Sequence, residues 1–278
     1  MFNYGRQMNG LKDLSLSAKT DMKKIPLNGL ELWQFKSLAQ QPSIQHFVTD
    51  RSSYSGENEF SLSLSSSPDR TMILRNRGLL ASSMGLKDSE LYFPSQVHKT
   101  RILHVTRNTV REELMETDAL LTNERKICIA VMSADCVPIL LFDKKNHAVG
   151  AVHSGWRGTV ARILEKSLNE MQRLFGTKGE DLFAGIGPSV STESYEVGED
   201  VVEEVRRSFS RSHELLRPTE NNKAKLDLWK ANTLQLEEFG VSPGQIEISN
   251  LCTVKHNHHF FSARKGDKGR FAAGIMLS

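Results

Sequence analysis

The stretch SADCVPILLFDKKNHAVGAVHSGWRGT, residues 133–159, contains two apolar runs with polar residues at their ends. PILLFD (138–143) and HAVGAVH (147–153) are short, apolar and separated by the turn-forming DKKN (143–146). That combination predicts two buried strands joined by a tight turn. Cys136, between Asp135 and Val137-Pro138, opens the first run, and His153, followed by Ser-Gly-Trp-Arg-Gly, closes the second. A chain that needed only a core would not spend polar residues there. The stretch reads as a functional site built on buried strands.

The flanking sequence extends this pattern. KICIAVM (126–132) is a third buried strand. Beyond SGWRG, apolar residues at Val160, Ile163, Leu164, Leu168, Met171, Leu174 and Phe175 fall on one helical stripe, which predicts a helix starting near Thr159. DLFAGIGPSV (181–190) predicts a strand ending in a Gly-Pro turn, and helices follow over about 199–210 and 227–239. Strands are expected near QIEIS (245–249), HFFSA (259–263) and RFAAGIML (270–277), and earlier at LELWQFKSL (30–38) and IQHFVTD (44–50). Residues 52–69, rich in Ser and carrying Gly56 and Pro68, predict a loop around a short strand at Leu62 and Leu64, and 70–86 has helical spacing. Residues 1–24 are polar and aperiodic, and are expected to be a flexible extension to a domain spanning 25–278. Strands and helices alternate without a linker or repeat, which predicts a single α/β domain.

Composition narrows the function classes. A net charge of +3, with Lys and Arg spread along the chain, gives nucleic-acid binding no support but leaves an acidic small substrate open. Three widely spaced cysteines form no disulfide framework and suit a reducing compartment. The N-terminal residues hold no apolar block long enough for a signal peptide, and no run reaches membrane-spanning length. The expectation is a cytoplasmic protein with no membrane partner.

Zinc prefers imidazole nitrogen and thiolate sulfur, and a catalytic zinc keeps three protein ligands and one open position. Cys136 and His153 supply two such donors, and His98, where FPSQVHKT (93–100) meets the strand RILHV, is the best third. Gly155 and Gly158 allow close backbone approach, and Arg157 offers a fork of donors suited to phosphate beside a helix start. Asp135 reads three ways: general acid/base, partner of a ligating histidine, or turn-former. A rival donor cluster, Cys252, His256, His258 and His259, precedes the expected strand at 259–263, where alternation would split the last two histidines onto opposite faces.

The motifs FPSQVH, TDALLT (117–122), SADCVPILLFD, AVGAVHSGWRGT, GIGPSV, YEVG (195–198), DLW (227–229), CT (252–253) and FFSARKGDKGR (260–270) resemble, in order, those of the laccase-domain, polyphenol-oxidase-like family over roughly residues 40 to 278. The resemblance implies a layered α/β sandwich with mixed β-sheets. It implies a zinc-dependent purine nucleoside phosphorylase acting on adenosine, inosine, guanosine and methylthioadenosine, with adenosine deaminase activity. The family's metal ligands fall on His98, Cys136 and His153; Asp135 and Arg157 are the catalytic candidates, and Arg157, Gly158 and Arg264 those for phosphate or substrate. Purine nucleosides and phosphate are the implied partners of a monomer or homodimer. Copper is the less favoured metal, and the family's other assigned activities are copper-dependent phenol oxidation and editing of peptidoglycan precursors by amide cleavage. The chain also departs from the pattern: where the family shows Ser-Thr-Arg-x-Gly-Gly, VTDRSSYSG places Asp50 at the arginine, with Arg51 one position off and Ser52 and Ser53 at the glycines. SLSLS stands for Ser-Leu-Asn-Leu-Gly, and Lys99 replaces the glycine after Gln-Val-His.

Overall fold

Why two strands should be apolar along their whole length is answered by the layers around them. The computed structural model describes residues 22–54, 59–67 and 69–278. One sheet contains β1 (Met22–Leu27), β2 (Leu30–Phe35), β3 (Ile44–Val48), β4 (Leu91–Tyr92), β7 (Cys128–Ser133) and β15 (Phe271–Leu277), in the order β1-β2-β3-β15-β7-β4. The second contains β5 (Ile102–His104), β6 (Ala119–Thr122), β8 (Val137–Asp143), β9 (Ala148–Ser154), β10 (Leu182–Ile186) and β14 (Ile246–Ile248), in the order β14-β10-β8-β9-β6-β5. Both sheets mix parallel and antiparallel pairs. A small third sheet joins β11 (Glu196–Val197), β12 (Leu216–Pro218) and β13 (Ala224–Leu226). The helices are α1 (Lys36–Ala39), α2 (Arg70–Ser83), α3 (Trp156–Val160), α4 (Ile163–Phe175), α5 (Glu199–Ser208) and α6 (Leu228–Glu238).

The two large sheets face each other. Ile129, Val131, Ala273 and Ile275 of the first pack with Leu140, Phe142, Val149 and Ala151 of the second. The outer face of the second sheet, with Ile139, Leu141 and Val152, is covered by residues of α4, α5 and α6. The outer face of the first, with Phe47, Ala130 and Ala272, is covered by Leu80 and Ala81 of α2. The result is a four-layer α/β/β/α sandwich. Strands covered on both faces read as continuous apolar runs rather than alternating ones. The sheets come close enough that a Cβ at Gly185 would lie 2.6 Å from the Phe35 ring.

Several expected elements take different forms. The helix expected near Thr159 begins at Trp156 and breaks at Arg162, whose φ of 60° ends α3; its side chain pairs with Glu165 at 2.7 Å and with Glu238. No strand forms at 259–263: the chain passes through turns in which the Phe260 amide donates to the His256 carbonyl at 3.0 Å. Phe260 and Phe261 are both buried, so apolarity there marks core rather than a strand. Leu62 is buried in irregular chain whose amide donates to the Arg270 carbonyl at 3.0 Å, so the short strand expected there is also absent. β1 starts at Met22, inside the stretch expected to be an extension; residues 1–21 lie outside the described residues.

Asp50, where the family pattern has arginine, closes a buried polar knot between β1, β2 and the loop before Phe260. It is fully buried, accepts from Trp33 Nε1 at 2.8 Å and from the Ser52 amide at 2.9 Å, and lies 3.0 Å from Lys24 Nζ and 3.6 Å from His259 Nδ1. Burial alone would raise its carboxyl pKa, but the His259 contact, the Lys24 charge and the Trp33 bond outweigh burial and hold it at about 2. The folded value lies below the ordinary 3.8, so this stabilisation is complete above about pH 4 and is lost as pH falls toward 2. A shift of that size is worth about 2 kcal/mol. Asp50→Asn should therefore destabilise the protein at neutral pH by about that amount and flatten the fall in stability between about pH 4 and 2. Urea unfolding across that range checks it; an unchanged slope would show that Asp50 is not the charged group of the knot.

Candidate metal centre

The register of the β8–β9 hairpin builds the site. Asp143 caps the turn: its Oδ1 accepts the Lys145 and Asn146 amides, both at 3.0 Å, and fixes the antiparallel pairs Val137↔Ser154 and Pro138↔His153. Extended by one residue, this register sets Cys136 opposite Gly155, so Cys136 and His153, 17 residues apart in sequence, share one end of the hairpin. His98 arrives from the loop between β4 and β5 with φ of 62°. The ligand atoms of His98, Cys136 and His153 all lie within 4.8 Å of one another. The two imidazoles meet edge to face with centroids 4.9 Å apart. His153 is buried, while His98 is exposed and leaves the group open to solvent.

A residue not singled out from the sequence orients this group. Asp118 precedes β6, and the β6–β9 register Ala119↔Val152 places it directly opposite His153. Its Oδ1 lies 2.9 Å from His153 Nδ1, which leaves Nε2 as the free donor of that ring. The same fully buried carboxylate accepts the amides of His98 at 2.9 Å and Lys99 at 2.8 Å, so one side chain fixes two of the three donors. The available signal was the Thr-Asp pair before the apolar ALLT, a charge at the mouth of a buried strand. The positive φ of His98 fits the same contact, since the turn points successive N–H groups at one carboxylate.

Burial disfavours a Cys136 thiolate, yet the facing charges and hydrogen bonds of His153 and His98 pull its pKa below that of an ordinary thiol. Burial likewise opposes a charged His153, but the Cys136 and Asp118 charges raise its pKa. Without a metal the residues therefore favour a thiolate facing a protonated His153, and once that imidazolium proton is displaced the set of one sulfur and two imidazole nitrogens fits a divalent transition metal. The backbone fits it too: a Cβ at Gly155 would lie 2.8 Å from Cys136 Sγ and 3.2 Å from His98 Cδ2.

The other expected site residues divide. Asp135, with φ of 88°, is buried and committed: Oδ1 accepts the Thr253 hydroxyl at 2.6 Å and Oδ2 the Arg264 amide at 2.8 Å. The Arg264 guanidinium lies 4.6 Å over the Tyr195 ring. Tyr195 is itself buried, and burial with the Cys136 charge pushes its pKa up to about 12, so it stays a neutral donor. Arg157 is exposed and lies 4.3 Å over Trp156. Gly158 sits inside α3, where its close neighbour is Ile163: a Cβ there would lie 3.2 Å from Cγ2. In the rival cluster His258 and His259 are ring neighbours at 4.3 Å, but among the described residues the only three-donor group is His98–Cys136–His153.

The sandwich and this group together define a class: layered α/β chains with a His/Cys/His group at the open end of a buried hairpin. The chain belongs to the family described as multi-copper polyphenol oxidoreductase laccase, whose model matches residues 45–278. It is 40% identical over 256 residues to a purine nucleoside phosphorylase of Bacteroides thetaiotaomicron, covering 87% of this chain and 95% of the relative. It is 32% identical over 259 residues to adenosine deaminase RL5 of an unknown prokaryotic organism, covering 88% and 98%. Among solved structures, YlmD from Geobacillus stearothermophilus superposes with a TM-score of 0.83 at 27% identity, covering 93% of this chain and 99% of that one.

Replacing a group that orients a ligating histidine typically costs about 10–100-fold in metal affinity. Asp118→Asn should lose that much, and Gly155→Ala should weaken retention by crowding Sγ; metal content after dialysis against graded chelator checks both. Retention equal to wild type in Asp118→Asn would show that the carboxylate does not set the site.

Proposed function

We propose that the chain is a zinc-dependent purine nucleoside phosphorylase with adenosine deaminase activity, and that His98, Cys136 and His153 hold the zinc. The reading rests on one observation: three donor atoms within 4.8 Å of one another, oriented by Asp118 and open on the His98 side. The relatives named purine nucleoside phosphorylase and adenosine deaminase support the reaction classes. Adenosine, inosine, guanosine and methylthioadenosine are the substrates, and the cytoplasm is where the enzyme works.

When bound, zinc supplies Lewis-acid chemistry at this cluster. The chain's own residues do the rest. In phosphorolysis a phosphate oxygen attacks ribose C1′, the C1′–N9 bond breaks, and its electron pair leaves with the base. Arg157, whose guanidinium has no carboxylate partner among the described residues, serves as the phosphate fork. Arg264, stacked on Tyr195 and anchored through its amide to Asp135, forms the facing substrate wall. Asp135, with both oxygens engaged, positions this wall rather than acting as the general acid/base that is one of its three readings from the sequence. Gly158 contributes the close packing of α3 that sets the direction of Arg157. In deamination, water adds at C6 and ammonia leaves, with no call on the phosphate fork.

Zinc is favoured over copper because all nine histidines and three cysteines lie among the described residues, which hold one three-donor group, whereas a multicopper oxidase needs several. Nucleosides incubated with zinc-loaded protein, with and without phosphate, should give free base and sugar 1-phosphate only when phosphate is present. Cleavage of a muramyl-peptide precursor with no change to any nucleoside would instead assign the site to precursor editing.

Losing one charge-assisted contact to phosphate costs about 1.5–3 kcal/mol, roughly ten- to a hundredfold. Arg157→Ala should slow phosphorolysis by that factor, largely recovered at high phosphate, and leave deamination much less affected. Cys136→Ala should abolish zinc retention and both reactions. Equal losses of both reactions in a folded, zinc-replete Arg157→Ala protein would remove Arg157 from the phosphate seat.

A further inference from the structure

A second cavity opens at the β4 edge of the first sheet and includes none of the three metal donors. Its volume is about 760 Å³, within the range of roughly 300–1,000 Å³ usual for small-molecule sites. Five cations line it: Arg77, Arg107, Arg111, Arg125 and Lys126. Three acids, Asp88, Glu90 and Glu112, offset them only in part. Some of these charges are already engaged. Arg107 pairs with Glu124 at 3.3 Å, Arg125 donates to the Ser278 carbonyl, and Glu90 accepts the Lys87 amide at 2.8 Å.

Arg77 and Arg111 are not engaged by any carboxylate among the described residues. Arg77 is half-buried on α2 and rigidly held: its guanidinium lies 4.4 Å over the Phe93 ring, and its Nε donates to the Leu62 carbonyl at 2.9 Å. Burial first, then the charges of Arg111 and Arg70, push its pKa down to about 10. An arginine held without a counter-charge, beside a second arginine, gains most from an anion placed between them. Leu74, Val110 and Met115 line the same cavity and are 48%, 53% and 54% exposed, so apolar surface is available beside the cations for the body of a ligand.

The cavity wall also reaches the metal segments. Arg77 contacts Met132 Sδ at 3.8 Å, and Met132 is clamped through its backbone by Gln96: its amide donates to Oε1 at 2.7 Å and its carbonyl accepts from Nε2 at 2.8 Å. Gln96 is two residues before His98 and Met132 four before Cys136.

We propose that this cavity is a second binding site, separate from the metal centre, for a small phosphate monoester of sugar-phosphate size, with Arg77 and Arg111 as its phosphate fork. Its occupant bears on the wall behind both the His98 loop and the end of β7.

The test is calorimetric titration of ribose 5-phosphate, inorganic phosphate and adenosine into the full chain, as zinc-loaded wild type, His98→Ala, Arg77→Gln and Arg111→Gln. Ribose 5-phosphate should bind saturably to wild type and to His98→Ala with similar affinity, because the site does not need the metal centre. Loss of either guanidinium should weaken that binding about tenfold or more. Arg111 is exposed, so Arg111→Gln reports even where Arg77→Gln fails to fold, and its nucleoside turnover without ribose 5-phosphate should match wild type. Binding that disappears in a folded His98→Ala protein, or survives unchanged in Arg111→Gln, would overturn the proposal. So would sedimentation showing a dimer to which ribose 5-phosphate does not bind, since the exposed apolar rim would then be covered by a second copy.

Discussion

Everything at the candidate metal centre depends on a register held by hydrogen bonds far from it. The β8–β9 hairpin is seven residues deep on each strand, and Asp143 sets its phase at the closed end. A slip of one residue would turn every side chain to the opposite face. It would bring the Leu140–Phe142 side of the inner core onto the helices and carry His153 away from both Cys136 and Asp118. The same pairing that buries the core therefore places the donors, and stability and site geometry are one constraint. Gly155 follows from it: opposite Cys136 the register leaves no room for a Cβ.

Two buried carboxylates show how the fold uses charge without exposing it. Asp118 gathers two loop amides and an imidazole; Asp50 gathers an indole, a serine amide and a lysine. Each pKa is lowered, because satisfied charge outweighs the cost of desolvation. Asp50 also explains how the chain departs from the Ser-Thr-Arg-x-Gly-Gly pattern and still folds. Lys24, 3.0 Å away, supplies beside it the positive charge that balances the carboxylate, and His259 lies 3.6 Å from the same oxygen. The neighbouring Arg51 does not substitute for the missing arginine as a free anion binder, since Glu59 and Asp267 hold it 4.4 Å above the Phe261 ring.

The sequence was legible where one local signal and one tertiary demand agreed. The turn DKKN between two apolar runs leaves a hairpin as the simplest arrangement, and Asp69 and Asp227 mark helix starts by accepting the amides of Met72 and Lys230, both at 2.9 Å. It misled where apolarity had a different cause. Phe260 and Phe261 are buried from successive turns, and Leu62 is buried from irregular chain, so neither run is a strand despite its composition. The break at Arg162 was hidden because its side-chain partner Glu238 is on α6, 76 residues away. Asp118 was missed for a related reason: only the β6–β9 register makes it the neighbour of His153, and no local spacing reports a cross-strand pair.

The site combines rigid and yielding parts in a way that suits a reaction needing both order and access. His153 stands on β9 and Cys136 immediately before β8, each flanked by buried residues, so their positions cost little entropy to hold. His98 stands on an exposed loop, but three successive amides of that loop, from Val97 to Lys99, point at one buried carboxylate. A loop fixed by its backbone can leave its side chains facing solvent, which is what an open coordination position requires. Had His98 been fixed instead by packing its ring, the group would be closed and structural. The division between backbone anchoring on the loop and the buried hairpin end is therefore what keeps this His/Cys/His group both ordered and open on one side.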